Sequence, residues 1–263
     1  QAALTAAHRN GGQLPGVIAE KIDPQILADV PRPKTVVCVS GTNGKTTTNN
    51  LLNDLLADNG YEVVNNRAGG NVANGIQSTL IRNATMSGGT KKDMAVMELD
   101  ELSFRKVLPY LTPDVILVTN LYRDSFSRNA NPDFIFNVMS HYVSPKTKLV
   151  LNADDLISCR LAPQDANCVY YSIGRLADDT AEPQGIVCDL TACPVCGGKL
   201  EYDYCHLRHL GHATCKSCGF TNPEPDYELT ALDREAHTFT VCERSHEGAP
   251  THTYRYGNYS ITN

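Results

Sequence analysis

A glycine-rich segment, GTNGKTTT, at residues 41–48 limits the folds that this sequence can adopt. It follows the apolar run TVVCVS at 35–40, which is typical of a buried parallel strand. A helix is predicted to follow over 45–59 and to end at Gly60, because four leucines recur on one helical face, namely Leu51, Leu52, Leu55 and Leu56. A strand, a glycine-rich turn and a helix in this order predict a phosphate-binding loop, because backbone N–H groups at a helix N-terminus attract phosphate.

The residue types in this loop suit a nucleoside triphosphate. Lys45 would neutralise the β- and γ-phosphates, and the Thr46 hydroxyl would occupy one position on Mg²⁺. The complete pattern has glycine five places before Gly44, where this sequence has Val39, so the loop is a shortened variant. The alternative is an ordinary strand-to-helix turn with a surface lysine. The candidate ATP-binding residues of the loop are Gly41, Thr42, Asn43, Gly44, Lys45, Thr46 and Thr47.

A carboxylate for Mg²⁺ is expected at the end of another strand. Glu98 closes the apolar run MAVME, and Asp100 and Glu101 follow it. Ligands of open α/β sheets bind at the carboxyl ends of the strands, so Glu98 is the predicted partner of Thr46 on Mg²⁺. The alternative is that these acids belong to a solvated loop.

Strand and helix patterns alternate along much of the chain, which predicts an α/β fold with a mainly parallel sheet flanked by helices. Besides 35–40, strands are predicted at 61–64, 94–99, 115–119 and 148–151, with a helix through 76–81. The alternation stops near 180–185. A small antiparallel portion is predicted at 227–232, 237–243 and 251–256.

Five of the ten cysteines lie between residues 193 and 218. CPVCG and CKSCG give C-x2-C, eighteen residues, C-x2-C, a spacing that predicts a closed, structural Zn²⁺ site. The predicted ligands are Cys193, Cys196, Cys215 and Cys218. The alternatives are a redox dithiol or unrelated free thiols. Four further residues between the two pairs are expected on the surface of this ribbon, namely Cys205, His206, His209 and His212.

Charge and hydropathy exclude several classes of protein. Lysine plus arginine number 23 and aspartate plus glutamate 29, so the net charge is −6 and the overall basic field of a nucleic-acid binder is missing. Apolar runs are too short to cross a bilayer, so an integral membrane protein is not expected. Residues 1–10 contain no apolar signal core, and the cysteine distribution indicates a reducing compartment.

Four motifs resemble the central ATPase domain of the Mur ligases: SGTNGKTTT at 40–48, MELDE at 97–101, TNLYRD at 119–124 and LNADD at 151–155. The cysteine ribbon, with HLGHATCKSCGF, and GGQLPG at 11–16 narrow the resemblance to the MurT family, the synthetase subunits of lipid II isoglutaminyl synthases. The resemblance implies a lead-in at 1–33 and a P-loop-containing central ATPase domain at 34–263, with a zinc-ribbon insertion at 188–222.

The resemblance also implies an activity. It implies ATP-dependent amidation of the D-glutamate α-carboxylate in the lipid II stem peptide through an acyl phosphate, during peptidoglycan synthesis. Ammonia would come from a GatD-type glutaminase partner. The implied cofactors are ATP, Mg²⁺ and structural Zn²⁺. The implied location is the bacterial cytoplasm, at the inner face of the membrane.

Individual residues carry over where they match the family's motifs. Asn152 matches the asparagine near the nucleotide, and Asn263 matches an adenine contact in a segment where Ser260 departs from the pattern. Ser125 and Ser127 depart from the family at a loop that could hold a second metal. The family continues past the position of Asn263 into a C-terminal domain that holds its catalytic aspartate. We therefore expect a partial chain, with catalytic residues beyond it.

Two other functions remain open at this point. A Mur-type or folylpolyglutamate-type ligase would add an amino acid instead of ammonia, but those families lack the cysteine ribbon. A zinc-ribbon module that binds nucleic acid or protein could be attached to an NTPase. Nucleic acid is disfavoured, because the ribbon contains few cations, namely Lys199, Arg208 and Lys216.

Overall fold

The computed structural model describes residues 12–68, 70–122, 131–162, 167–182, 190 and 192–257. The chain divides into two compact units. The first comprises residues 1–119 and 137–148, and the second comprises residues 120–136 and 149–263.

The first unit is a parallel α/β arrangement. Its strands are β1 (Thr35–Ser40), β2 (Val63–Val64), β3 (Met94–Glu98) and β4 (Val115–Val118). They pair in the order β4-β1-β3-β2, and every pairing is parallel. The helices are α1 (Leu14–Ile22), α2 (Ile26–Asp29), α3 (Lys45–Asp58), α4 (Ala73–Asn83) and α5 (Phe104–Val107), while α6 (Pro132–Tyr142) has residues in both units.

Apolar side chains on the strands of the first unit are buried, as is usual for parallel strands with both faces covered. The buried residues on β1, β3 and β4 are Val36, Cys38, Val39, Ala95, Val96, Met97, Ile116 and Val118. All the strands predicted in this unit are present, with ends that differ by one or two residues, and the predicted helix at 76–81 is the middle of α4. The prediction of a mainly parallel α/β fold is confirmed.

Helix α3 buries its polar side. Asn49 and Asn53 are almost fully buried, whereas Leu51 and Leu55 are 68% and 57% exposed. Gly60 follows the helix with φ of 85°, a left-handed conformation that ends helices and favours glycine. The leucine periodicity therefore predicts the helix correctly but does not mark its buried face.

Helix α1 packs closely against α4 at Gly16. A Cβ atom at this position would lie 2.2 Å from the carbonyl oxygen of Asn74 and 2.9 Å from Oγ of Ser78. The backbone N–H of Gly16 donates a hydrogen bond to the same Ser78 hydroxyl at 2.8 Å. Only a residue without a side chain fits between these helices at this distance.

The second unit combines parallel and antiparallel pairing. Its strands are β5 (Lys148–Asn152, all but its first residue), β6 (Cys168–Ile173), β7 (Leu200–Leu207), β8 (Leu210–Cys215), β9 (Tyr227–Asp233), β10 (Thr238–Glu243) and β11 (Thr251–Arg255). β5, β6 and β9 pair in parallel, and β9, β10 and β11 pair antiparallel as predicted. β7 and β8 form a separate antiparallel hairpin, the core of the ribbon. β6 was not predicted.

Within the described ranges, the helices are all too short or too polar to serve as a bilayer-crossing segment.

Candidate functional site

The loop between β1 and α3 has the backbone that its glycines were predicted to allow. Gly41 and Gly44 have φ of 122° and 79°, values that side-chain-bearing residues rarely adopt, and α3 begins at Lys45. The Thr119 hydroxyl donates a hydrogen bond to the carbonyl oxygen of Asn43 at 2.7 Å, which ties the loop to the end of β4. Thr46 and Thr47 are exposed. The loop therefore presents hydroxyl groups beside a helix N-terminus.

Lys45 lies across this loop. Its Nζ donates hydrogen bonds to the carbonyl oxygens of Gly41 and Thr42, and it forms an ion pair with Glu101 Oε1 at 3.1 Å. The side chains of Lys45 and Glu101 are 14% and 10% exposed. Burial raises the pKa of Glu101, and the neighbouring Lys45 charge opposes that rise.

In the sequence, Glu101 is one of the acids that follow β3, and the pattern indicates no separate role for it. The structure makes it the carboxylate partner of Lys45. Glu101 lies three residues after Glu98. This spacing is the sequence signal that could have indicated two acids with different partners. Glu101 thus neutralises the charge of Lys45, and the Glu98 carboxylate is available to a different partner.

Thr46 and Glu98 are brought together. The Thr46 hydroxyl donates to Glu98 Oε2 at 2.8 Å, and Asn71 Nδ2 donates to Glu98 Oε1 at 2.9 Å. The buried Asn66 amide also exchanges two hydrogen bonds with the Glu98 backbone, at 2.7 and 2.9 Å. These contacts hold the carboxylate in one orientation at the carboxyl end of β3. A hydroxyl and a carboxylate in this arrangement suit Mg²⁺, which prefers oxygen ligands.

A cavity of about 340 Å³ adjoins this pair of oxygen ligands. It is lined mainly by amide side chains, and its residues are Thr46, Asn49, Asn50, Asn66, Arg67, Gly70, Asn71 and Glu98. Asn49 Oδ1 is buried in its wall and has no hydrogen-bond partner among the described residues. Asn66, Arg67 and Asn71 were not selected from the sequence, because single asparagine and arginine residues in a turn carry no motif.

The remaining candidates lie in the second unit or outside the described residues. Asn152 ends β5, and its Oδ1 accepts a hydrogen bond from the backbone N–H of Asp154 at 3.0 Å. Asn263 and the two departures from the family, Ser125 and Ser127, lie outside the described residues. A nucleotide contact at Asn152 or Asn263 therefore stays a prediction.

The four predicted cysteines of the second unit form one cluster. Their Sγ atoms all lie within 4.8 Å of one another, with Cys193–Cys218 at 3.7 Å and Cys196–Cys215 at 3.5 Å. These distances are far longer than a disulfide bond of about 2 Å. They match the spacing of about 3.8 Å between thiolates bound tetrahedrally at about 2.3 Å from one metal ion. The cluster therefore fits a closed metal site.

Two equivalent turns build this cluster. Gly197 N–H donates to the Cys193 carbonyl and Gly219 N–H to the Cys215 carbonyl, both at 2.9 Å. Both glycines have positive φ, 72° and 75°. Burial opposes ionisation of the Cys215 thiol, but neighbouring hydrogen bonds, chiefly from the backbone, lower its pKa to about 6. The pKa values of Cys196 and Cys218 are raised instead, so one thiol of the cluster ionises before its neighbours.

The residues between the two cysteine pairs are not all at the surface. His209 is fully buried and Cys205 is 3% exposed, so the prediction of a surface position is wrong for both. His206 is mostly buried, with Nδ1 at 2.8 Å from Asp179 Oδ1, while His212 is half-exposed and lies 2.6 Å from Asp203 Oδ2. The error arises because His209 meets an aspartate 54 positions earlier in the chain, which local spacing does not reveal.

Known proteins are similar to this chain in sequence and in fold. Residues 39–200 match the family model described as the Mur ligase middle domain. The chain is 37% identical over 233 residues to lipid II isoglutaminyl synthase (glutamine-hydrolyzing) subunit MurT of Staphylococcus aureus (strain COL), a match that covers 88% of this chain and 52% of the relative. It is 31% identical over 224 residues to the subunit of the same name in Streptococcus pneumoniae (strain ATCC BAA-255 / R6), covering 84% and 49%.

A solved structure of a peptide ligase is similar to this chain in fold. The pseudomurein peptide ligase type C from Methanothermus fervidus matches with a TM-score of 0.65 and 26% identity, over 91% of this chain and 45% of that chain. The present chain spans about half the length of the curated relatives that it matches.

Proposed function

The chain belongs to the Mur ligase middle-domain family, and we propose that it is the ATP-binding part of a MurT-type synthetase subunit that amidates lipid II. The similarity to two curated subunits of lipid II isoglutaminyl synthase supports this choice within the family. The four-cysteine cluster supports it further, because the cysteine ribbon is one of the features by which the sequence resembles the MurT family.

The observation that carries the proposal is the pair of contacts at the start of α3. Lys45 is balanced by Glu101, while Thr46 and Glu98 offer hydroxyl and carboxylate oxygens 2.8 Å apart. In the proposed site, Lys45 and the α3 N-terminus bind the phosphates of ATP, with Gly41, Thr42, Asn43, Gly44 and Thr47 forming the loop around them. Mg²⁺ held by Thr46 and Glu98 would supply positive charge against the triphosphate.

The proposed reaction has two steps. A carboxylate oxygen of the D-glutamate residue attacks the γ-phosphorus of ATP, forming an acyl phosphate and releasing ADP. Ammonia then attacks the acyl carbon, the amide forms, and inorganic phosphate leaves. Lys45 would stabilise the negative charge on the transferred phosphoryl group in the first step. We expect the residues that hold this carboxylate in line with the γ-phosphate to lie beyond the given sequence.

We also propose that the cluster of Cys193, Cys196, Cys215 and Cys218 binds one structural Zn²⁺. Four thiolates leave no open position on the ion, so the site would contribute to folding and not to chemistry. Ammonia would come from a GatD-type glutaminase that assembles with the full-length protein in the cytoplasm, and lipid II would be met at the inner face of the membrane.

A reconstituted reaction tests this function. The full-length protein is combined with its glutaminase partner, lipid II, Mg-ATP and glutamine, and the product is analysed by mass spectrometry. We expect conversion of one carboxyl group to an amide, a loss of about 1 Da, with one ADP formed per product. Addition of an amino acid, or no ATP consumption with any lipid-linked acceptor, would contradict the proposal. Ammonium salt in place of glutamine separates the synthetase from the glutaminase.

A further inference from the structure

The turn after β5 is held by a buried carboxylate that the proposed chemistry does not use. Asp155 Oδ2 accepts a hydrogen bond from the Leu121 backbone N–H at 2.7 Å, and Oδ1 accepts one from the Ile157 N–H at 2.9 Å. The remaining contact comes from the ribbon, where His209 Nε2 lies 3.2 Å from Oδ1. One side chain therefore joins three separate stretches of the second unit.

Both members of the Asp155–His209 pair are fully buried. Burial alone would raise the pKa of Asp155, but the hydrogen bond and charge of His209, with the two backbone N–H groups, hold that pKa below its usual value. The Tyr122 ring packs edge-on against the His209 ring, with centroids 4.9 Å apart. Removing His209 would leave a carboxylate without its side-chain partner in a site that water does not reach.

Further hydrogen bonds to backbone carbonyls, one from a backbone N–H and two from a side-chain amide, reinforce the same attachment. Gly211 N–H donates to the Asp154 carbonyl at 3.0 Å. Asn222 Nδ2 donates to the carbonyls of Ala153 at 2.6 Å and Gly211 at 2.9 Å. The ribbon thus contacts three successive residues of the segment that begins with Asn152.

The contact point is connected to the cysteine cluster by one strand. β8 begins at Leu210, directly after His209, and ends at Cys215, one of the four clustered cysteines. Cys205 Sγ donates to the carbonyls of Arg208 and Leu210 at 2.7 and 3.2 Å, which holds the turn that presents His209. A metal ion that orders the cluster would therefore also order the strand that ends at this contact.

We propose that His209 is a positioning residue through which the metal-bound ribbon fixes the Asn152–Ile157 turn and the backbone at Leu121. The ribbon then acts as a clamp on two segments that include residues of the motifs TNLYRD and LNADD. The proposal rests on the proposed zinc site, because the ribbon is taken to be metal-bound.

Hydrogen exchange in the full-length protein tests the clamp directly. His209→Ala is expected to raise the exchange rates of the Leu121 and Ile157 amides about tenfold or more, while zinc content stays at one per chain. His209→Gln, which keeps a side-chain N–H donor, is expected to restore most of the protection. The matched control is His212→Ala, a half-exposed histidine of the same ribbon that also pairs with an aspartate.

Two further measurements keep the test decisive. If His209→Ala does not fold, the wild-type protein is treated with a zinc chelator, and the same two amides must lose protection together with β7 and β8. Unchanged exchange at Leu121 and Ile157 in a folded His209→Ala variant, or after chelation, would overturn the clamp. Wild-type protein that contains no zinc would contradict the proposed zinc site and leave the exchange test of His209→Ala valid.

Discussion

The phosphate loop and the four-cysteine cluster are both glycine-rich turns, yet their polar groups are satisfied in opposite ways. At the loop, Lys45 has its own carboxylate partner in Glu101, while Thr46 and Glu98 lie beside a cavity of about 340 Å³. At the cluster, four Sγ atoms face one another within 4.8 Å. The loop therefore has its polar groups beside open space, whereas the cluster has its thiol groups turned toward one another, the arrangement that is typical of closed metal sites.

The largest effect is expected at the phosphate loop, from Lys45→Ala. Turnover of ATP should fall about 100- to 1000-fold, because the positive charge beside the transferred phosphoryl group is lost. The fold should be retained, since Glu101, whose pKa is already raised by burial, can take up a proton. Steady-state kinetics and circular dichroism measure the two effects.

The matched control for that variant is Lys34→Ala, because Lys34 is an exposed lysine of the same unit paired with Asp93. It should leave turnover unchanged. Equal turnover in wild type and a folded Lys45→Ala variant would remove the phosphate-loop interpretation.

At the four-cysteine cluster, a substitution should change the local structure. Cys193→Ser is expected to weaken zinc binding by at least about 100-fold and to unfold the β7–β8 hairpin, because metal binding contributes directly to local folding. Elemental analysis and hydrogen exchange measure both effects. Cys168→Ser, at a half-buried cysteine outside the cluster, should retain one zinc per chain. Zinc-free wild-type protein with a fully protected hairpin would show that the cluster needs no metal.

A smaller change should follow from Glu98→Gln. The amide keeps the size of the side chain but removes the negative charge offered to Mg²⁺, so the Mg²⁺ concentration for half-maximal ATP turnover should rise about tenfold. Glu62→Gln, at an exposed glutamate before β2, is the control. A Mg²⁺ titration that is identical for Glu98→Gln and wild type would exclude Glu98 as a ligand.

The smallest effect concerns a buried acid of the second unit. Burial raises the pKa of Asp154 from 3.8 to about 7. The folded state therefore binds this proton more tightly than the unfolded state, and the stability that it contributes is lost as the pH rises from 3.8 through about 7. Asp154→Asn, which can still accept the hydrogen bond from Ile173 N–H, should raise Tm by about 2–4 °C at pH 8.

The gain in Tm from the same variant should be smaller near pH 5, because the pH there lies only about one unit above the unfolded-state pKa of 3.8, whereas at pH 8 the whole interval between the two pKa values has been crossed. Thermal unfolding at both pH values checks the difference. A gain in Tm that is equal at pH 5 and pH 8 would assign the effect to something other than this ionisation.

Features carried by neighbouring residues were predictable from the sequence. The phosphate loop needs only β1, two glycines and the start of α3, and the cysteine cluster needs two short turns at a set spacing. Glu101 and Asn66 were missed as partners because their contacts join Lys45 and Glu98 from other parts of the chain. A run of adjacent residues can show which groups are present but not which distant group neutralises them.

For two elements, the pattern of apolar residues was a poor guide to the structure. β6, with the sequence CVYYSI, lacks the alternation of apolar and polar residues by which a half-buried strand is found. Helix α3 shows the expected leucine periodicity, but buried Asn49 and Asn53 occupy the side that faces the protein. Periodicity reports that one side of a helix is apolar, and the surrounding structure decides which side is covered.

The contact at Gly16 has a consequence for how much variation this chain can tolerate. The Asn74 carbonyl lies where the first side-chain atom of any other amino acid would be placed. In a saturation mutagenesis library selected for folded protein, position 16 should accept essentially glycine alone, whereas exposed Ile18 and Ile22 on the same helix should accept many replacements. The close approach of the two helices would thus be seen as a position at which very few replacements are tolerated.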